Sequence, residues 1–176
     1  MKKNSLILST SLIMIIFLAG CSTMPPADFT VQNLPSVERK NVELVSITVG
    51  YVAKTRGVTL DTNHLVPPAW ETALQDAINR SLIFKDDQDR NISISVRIDH
   101  FDLPAAGFAM TSDCGAIYEI TDRSSGEIVF RERIYASGTT PLDYAFAGVF
   151  RMAESVNRCA RNNIRDFIVL LDQRDL

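Results

Sequence analysis

The chain contains 176 residues, of which 18 are basic and 21 acidic, and its formal net charge at pH 7 is −3. Because nucleic-acid binding depends on a basic face that contacts phosphates, this balance argues against a nucleic-acid partner. The length suffices for a targeting segment followed by one domain with a hydrophobic core.

The first 20 residues have the layout of a secretory signal peptide. Lys2 and Lys3 form a short basic start, residues 6–17 are almost wholly apolar, and small residues precede Cys21. This order is typical of a secretory signal. The apolar run is shorter than the roughly 20 residues that a membrane-spanning helix needs. We therefore expect residues 1–20 to be removed on export.

The sequence Leu18-Ala19-Gly20-Cys21 resembles the lipobox of bacterial lipoproteins. The resemblance implies cleavage between Gly20 and Cys21, followed by a diacylglycerol thioether and an N-acyl chain on the cysteine, with no other cofactor. More than one acyl chain is needed for stable attachment to a membrane. In enteric lipoproteins an aspartate after the cysteine favours the inner membrane, so Ser22 implies the outer membrane, facing the periplasm.

Residues 21–41 contain three prolines and no persistent hydrophobic period, so we predict a lipidated tether here and one periplasmic domain over residues 42–176. Within residues 42–53, apolar residues occupy every second position from Val45 to Tyr51, which predicts a strand with one buried face. Pro67 and Pro68 suit the first turn of a helix. The stripe that follows at helical spacing comprises Trp70, Leu74, Ala77, Ile78 and Leu82.

Three more strands are predicted between residues 92 and 137. Apolar and polar residues alternate from Ile92 to Ile98, and alternation resumes over residues 110–121. The turn-forming residues 122–126 predict a hairpin. The intervening residues 103–109 break the alternation with Pro104 and Gly107. They predict a bend or bulge.

The last predicted element is a long amphipathic helix. Thr140 suits the N-cap, Pro141 the first turn, and Asp143 the third position after the cap. An apolar stripe then extends from Phe146 to Leu171. The order β-α-β-β-β-α predicts an α+β fold, with a mostly antiparallel sheet and two helices on one face.

Two cysteines remain beyond the lipobox, Cys114 and Cys159. In an oxidising periplasm an even number of cysteines suggests a disulfide. The alternative is a pair of small, buried free thiols, which is a common environment for cysteine. The sequence leaves both possibilities open.

No catalytic or metal site is predicted. The chain lacks a nucleophile elbow, a phosphate-binding glycine loop and histidines in a zinc-type spacing. His100 and Asp102, two positions apart at the end of a strand, are a conceivable proton-transfer pair. Since no nucleophile accompanies them in sequence, we expect polar strand-end residues rather than an enzyme.

Two groups of residues are candidate partner contacts. Phe108 and Met110 belong to an apolar loop that either forms an exposed docking patch or folds over the open end of the core. Arg151, Arg158 and Arg165 are predicted on the polar face of the last helix. They could contact lipid phosphates or anionic polymers, although we favour an ordinary solvated face.

The lipobox, the proline-containing tether and the β-α-β-β-β-α order together resemble small periplasmic lipoproteins of the YajG and LpoB kind, whose domain is similar to the amino-terminal domain of TolB. The same order also resembles the auxiliary lipoprotein of ABC-type lipid-transport systems. The resemblance implies a non-enzymatic adaptor that is attached to the membrane and binds an envelope protein. The alternatives are a lipid-transport subunit and an envelope hydrolase or acyltransferase with an unrecognised site.

Overall fold

The computed structural model describes residues 25–56, 65–104 and 109–176. Four strands form one sheet in the order β1-β2-β3-β4. β1 runs parallel to β2, and the other neighbouring pairs are antiparallel. The predicted α+β class and the predicted element order are confirmed. The elements are β1 (Glu43–Arg56), α1 (Val66–Ser81), β2 (Asn91–Asp102), β3 (Met110–Asp122), β4 (Ile128–Thr140) and α2 (Gly148–Asp172).

Helix α1 is the crossover that a parallel strand pair requires between β1 and β2. It begins with prolines in its first turn, as the sequence predicts, since these positions need no intrahelical N–H bond. It ends at Leu82, which adopts a left-handed conformation (φ 54°) and closes the helix by donating its N–H to the carbonyl of Ile78.

Both helices cover one face of the sheet, and a buried chain of hydrogen bonds joins them there. Trp70 of α1 donates its indole N–H to the hydroxyl of Tyr118 on β3, at 3.1 Å. That hydroxyl donates to Asn163 of α2, at 2.9 Å, and the Asn163 amide donates to the carbonyl of Ile134 on β4. The ring of Tyr118 stacks on Phe167, with centroids 4.1 Å apart. These contacts satisfy the buried polar groups of Trp70, Tyr118 and Asn163.

The segment predicted as a tether packs against the domain from residue 25 onward. Phe29 and Val31 are buried in the core, and the ring of Phe29 meets Trp70 edge to face at 6.1 Å. The Asp28 N–H donates to Asn157 of α2. The predicted domain boundary at residue 42 is therefore wrong, because two apolar residues in a proline-rich stretch show no period but still gain from burial.

The last helix begins at Gly148, so the predicted start at Thr140 is wrong. Thr140 is the final residue of β4 and pairs with Met110 of β3. Pro141 is extended, and a single 3₁₀ turn (Leu142–Tyr144) follows. Phe146, predicted on the buried stripe, is fully exposed. The local sequence around Thr140 favours a helix cap, but pairing with β3 extends the strand through this residue. Strand pairing depends on residues that are distant in the sequence, so the local pattern does not predict it.

The outer edge of β1 also departs from the predicted pattern. Its register with β2 shifts between Leu44 and Ser46, which makes Val45 a bulge residue. Val45 is about half exposed, whereas Leu44 packs against the core in its place.

Candidate functional site

The residues that the sequence predicts for export and anchoring lie outside the described part of the chain. These are Gly20, Cys21 and Ser22, and the same holds for Phe108. Cleavage, lipidation and sorting therefore stay predictions. Within residues 25–56, 65–104 and 109–176, no helix is long and apolar enough to span a bilayer.

Cys114 of β3 and Cys159 of α2 form a disulfide that connects the sheet to the helix covering it. Their Cα atoms are 6.2 Å apart, and both residues are fully buried. The two cysteines meet because Cys114 lies on the buried face of β3 and Cys159 lies on the buried face of α2. The bridge links the strand to the helix covalently, and neither cysteine has a free thiol that could act as a nucleophile.

Two of the candidate partner contacts, Met110 and Arg151, are buried. Met110 packs at the start of β3 and is 7% exposed. For Met110, this agrees with the alternative in which the residue covers the core instead of a partner. Arg151, also 7% exposed, donates from one guanidinium nitrogen to the carbonyls of Ala145 and Phe146, at 2.6 and 2.8 Å. It is buried because the loop before α2 folds back over it.

The remaining arginines of α2 are engaged with their own surroundings. Arg158 pairs with Glu154 at 2.9 Å and donates to the carbonyl of Thr139 at 2.8 Å. Arg165 pairs with Asp166 at 3.2 Å on the exposed surface. An exposed pair of this kind contributes little to stability. These contacts fit the solvated face that the sequence favours and provide no continuous basic strip.

The face of the sheet opposite the helices carries a groove of about 920 Å³. It extends from Val52 of β1 across β2 and β3 to β4, towards the end where β4 stops. Its polar lining consists of Asp99, His100, Asp113, Arg133, Tyr135 and Ser137. We call this the open-face groove.

A β-bulge in β2 produces the groove. Ile98 pairs with Ala116 and His100 pairs with Gly115, so that Asp99 is an extra residue in the ladder. Ile98 and Phe101 on either side point into the core. Asp99 and His100 therefore both line the open-face groove, because a bulge redirects side chains that would otherwise alternate.

Gly115 forms the floor beneath these side chains. A Cβ atom at this position would lie 2.9 Å from Asp99 Oδ1 and 2.9 Å from the ring of Tyr135. The missing side chain thus allows an acid and an aromatic ring to lie directly on the backbone of β3. Glycine inside a strand commonly marks a bulge or such a close approach.

Asp99 is only half satisfied by its neighbours. Its Oδ2 atom pairs with Arg133 at 2.6 Å, while Oδ1 is buried without a hydrogen-bond partner. The Arg133 guanidinium also lies 4.3 Å from the centroid of the Tyr135 ring, and that ring is 56% exposed. The groove therefore presents an aromatic surface and a cation, and the carboxylate oxygen that lacks a donor is buried beneath them.

The groove contains polar groups but no assembled catalytic pair. His100 lies 6.4 Å from the Tyr135 ring, and no hydrogen bond among the described residues joins it to a carboxylate or hydroxyl. Asp102, the predicted partner of His100, is exposed and faces Asp113 across the ladder. The described residues also contain no cluster of three acidic, histidine or cysteine side chains placed to hold a metal ion.

A second, smaller cleft of about 170 Å³ lies between the first described residues and the helices. Its lining is mainly apolar and includes Pro25, Phe29, Val66, Phe101, Leu103 and Val156. The volume is close to that of a cavity able to hold one benzene molecule, about 150 Å³. It is too small to enclose a full acyl chain.

Sequence reasoning did not identify most of the open-face groove. Asp113, Arg133 and Tyr135 occupy the strand phase opposite the buried residues, so their outward direction follows from the alternation. The presence of Gly115 within a strand was a further signal. Their convergence with Asp99 depends on the bulge, which the alternating pattern of residues 92–98 does not indicate.

No protein-family model and no curated protein sequence matches this chain. Among solved structures, protein XCC0632 from Xanthomonas campestris, assigned to family DUF330, is similar with a TM-score of 0.58 and 9% identity, covering 84% of this chain and 93% of that one. Protein CT253 from Chlamydia trachomatis has a TM-score of 0.53 and 11% identity, covering 76% and 96%.

A minor lipoprotein from Acinetobacter baumannii is also similar, with 16% identity over 74% of this chain and 91% of that one, but its TM-score of 0.35 is too low to support an argument. At these identities the first two structures show that the fold is shared. They carry no residue of a functional site across to this chain.

Proposed function

We propose that this protein is a lipid-anchored, non-enzymatic adaptor of the bacterial envelope, and that its domain binds a partner protein through the open-face groove. Cys21 would carry the acyl chains, and Ser22 supports attachment to the outer membrane on the periplasmic side. The domain would then meet envelope proteins close to that membrane.

The observation that carries the adaptor role is the composition of the open-face groove. Tyrosine and arginine are enriched among the residues that dominate binding energy at protein interfaces. Tyr135 and Arg133 lie side by side there, next to a carboxylate oxygen of Asp99 that lacks a donor.

The two alternative functions have less support. A lipid-transport subunit that encloses its cargo would need an apolar cavity, and the apolar cleft of about 170 Å³ is too small for an acyl chain. A hydrolase would need a nucleophile next to a base. Ser137 and His100 both line the open-face groove, but no hydrogen bond among the described residues connects them.

The anchor is tested with Cys21→Ala in cells supplied with labelled fatty acid. We expect the variant to accumulate as an unprocessed precursor without label, because the thiol is the acceptor of the diacylglycerol. Ser22→Ala serves as the control, since it leaves the acceptor in place. Normal processing and labelling of the Cys21→Ala variant would contradict the proposal.

The groove is tested by photo-crosslinking in intact cells from a photoreactive residue at Ser137, which lines it, and from one at Val169, an exposed residue on α2. We expect a discrete product from position 137 alone. Adding Arg133→Ala should reduce that product about tenfold or more, as for a hot-spot residue.

Arg174→Ala is the matched control, because Arg174 forms an ion pair with Glu132 on the exposed surface and does not line the groove. Similar products from positions 137 and 169, or a product that survives Arg133→Ala, would reject the groove as the binding surface.

A further inference from the structure

The loop between β4 and α2 and the first turn of α2 expose a group of large apolar side chains. Phe146 is 104% exposed, and Leu142, Tyr144 and Phe150 are 53%, 50% and 37% exposed. We call these four residues the aromatic patch. Exposed apolar residues that stand alone are ordinary, whereas a contiguous exposed patch marks an interaction surface. Tyr144 and Phe150 meet on the surface, since both line one pocket.

The loop is held in place from within. Arg151, buried beneath it, donates to the carbonyls of Ala145 and Phe146, the two residues at its tip. Arg158 lies over the ring of Tyr144, with its guanidinium carbon 5.5 Å from the centroid. The buried arginine thus fixes the backbone that presents Phe146, so the exposure of this ring belongs to the fold.

The aromatic patch lies at the end of the domain where the described chain begins. Pro25 and Pro26 line one surface pocket together with Tyr144 and Phe150. Leu65, 67% exposed at the start of α1, lines the neighbouring apolar cleft with the same two prolines. Two stretches that are distant in sequence therefore meet at this end, which we call the Pro25 end.

The distance to the predicted anchor is short. Cys21 precedes Pro25 by four residues. Four residues of fully extended chain span at most about 14 Å. The acyl chains on Cys21 would thus enter the membrane close to the Pro25 end. The acyl region of that membrane would then be the apolar medium nearest to the aromatic patch.

We infer that the aromatic patch inserts into the same leaflet that holds the Cys21 acyl chains, giving the domain a second, non-covalent membrane contact. This inference rests on the proposed lipid anchor. Aromatic side chains are enriched at membrane interfaces, and an apolar wedge strengthens the attachment that lipidation begins. Asp143, the acidic residue of the loop, keeps the insertion shallow because a charge favours the headgroup level.

The contact also sets the orientation of the domain. β4 ends and α2 begins at the Pro25 end, so insertion there makes the strands rise from the membrane. The open-face groove lies on the side of the sheet towards this same end, so it would face the periplasm next to the membrane surface. One acyl-anchored cysteine alone would leave the domain free to rotate.

The test uses the full-length, lipidated protein in vesicles of phosphatidylethanolamine and phosphatidylglycerol, prepared with and without dibrominated acyl chains. The variant is Phe146→Trp, and the matched control is Ile128→Trp, a 46% exposed residue at the start of β4. Trp70 is fully buried and gives the same background in both variants. Bromine quenches only an indole that reaches the acyl region.

We expect the emission of Phe146→Trp to move to shorter wavelength and to lose most of its added intensity in brominated vesicles, whereas Ile128→Trp stays unquenched. A shift to shorter wavelength without bromine quenching would mean that protein covers the patch, for example a second copy, and would overturn the inference. An unshifted, unquenched signal would overturn it as well.

The anchor is measured in the same preparation by fatty-acid labelling and by flotation with the vesicles. Labelled protein that floats but shows no quenching at position 146 would reject the aromatic patch and leave the adaptor proposal intact. Unlabelled protein that does not float would instead reject the lipid anchor on which both depend.

Discussion

Asp122 organises the hairpin between β3 and β4 through one carboxylate. Its Oδ1 atom accepts hydrogen bonds from the hydroxyl and N–H of Ser124 and from the N–H of Ser125. Its Oδ2 atom pairs with Arg90, at 2.7 Å. Gly126 completes the turn with a positive φ of 75°, a conformation that glycine adopts without strain. The hairpin predicted from residues 122–126 is thus formed by the two features that turn residues supply, an aspartate that accepts local N–H groups and a glycine with a positive φ.

These contacts make stability depend on pH. The Ser124 hydroxyl, followed by the Arg90 guanidinium and the two backbone N–H groups, holds the pKa of Asp122 well below its ordinary value. Because the folded pKa lies below the unfolded value of about 3.9, ionised Asp122 stabilises the fold above that pH. The stabilisation is lost as the pH falls through the folded value.

We therefore expect Asp122→Asn to lower the urea midpoint at neutral pH and to reduce the further loss seen between about pH 5 and about pH 3. Urea unfolding of the variant and the wild type across this range measures both effects. Asp143→Asn is the control, since Asp143 is exposed and lies in a loop. Equal pH dependence in wild type and Asp122→Asn would count against this role for the carboxylate.

The groove residues differ in how far the sequence predicts them. The outward direction of Arg133 and Tyr135 follows from the alternation of β4, because Phe130 and Ile134 mark the buried phase. The position of Asp99 does not follow, since it depends on a bulge that places two consecutive residues opposite one partner. A local period cannot report a pairing irregularity that involves a second strand.

At the scale of elements, β4 and α2 approach each other closely at Gly138. A Cβ atom there would overlap the backbone of Ser155 and Cys159 in α2. Side chains of α2 also reach the strand: Asn162 donates to the carbonyl of Ser137 at 2.8 Å, and Asn163 donates to that of Ile134. The helix thereby occupies carbonyls of a strand that has a neighbour on one side only.

Gly138→Ala should destabilise the fold by about 1–3 kcal/mol, because helix backbone rather than a flexible side chain must move. Gly50→Ala is the matched control: a Cβ atom at Gly50 of β1 meets no atom within 4 Å, so we expect a change within about 0.5 kcal/mol. Chemical unfolding of both variants gives the comparison. Equal stability of the two would mean that α2 can shift away from β4 at little cost.

The start of α2 shows how element boundaries escape local reasoning. Thr140, Pro141 and Asp143 form a plausible helix start, yet Thr140 pairs with Met110 in the sheet. The residues released between the strand and the helix form the loop that carries Phe146. The aromatic patch therefore exists because the strand extends further than the sequence predicts.

At the scale of the whole molecule, the Cys114–Cys159 disulfide joins the sheet layer to the helix layer across a sequence separation of 45 residues. In the chain-entropy account, such a bridge stabilises the fold chiefly by restricting the unfolded chain. It supplements a core in which the large buried side chains of Trp70, Tyr118 and Phe167 already connect both helices to the sheet.

We expect the Cys114→Ala/Cys159→Ala variant to lose about 2–5 kcal/mol of unfolding free energy and to migrate unchanged between reducing and non-reducing gels. The wild-type protein from an oxidising compartment should shift its mobility on reduction. Alkylation of both cysteines in the denatured, unreduced wild type would show free thiols and contradict the bridge.

The sequence by itself determined the α+β class, the order of the elements and the buried phase of β2, β3 and most of α2, because periods of two and 3.6 residues are local properties of the chain. It also predicts the lipid anchor, which belongs to residues outside the described structure. Tertiary structure alone decided the burial of Phe29, the bulge at Asp99 and the exposure of Phe146. Each depends on which distant backbone or apolar surface a residue meets, and no local pattern encodes that choice.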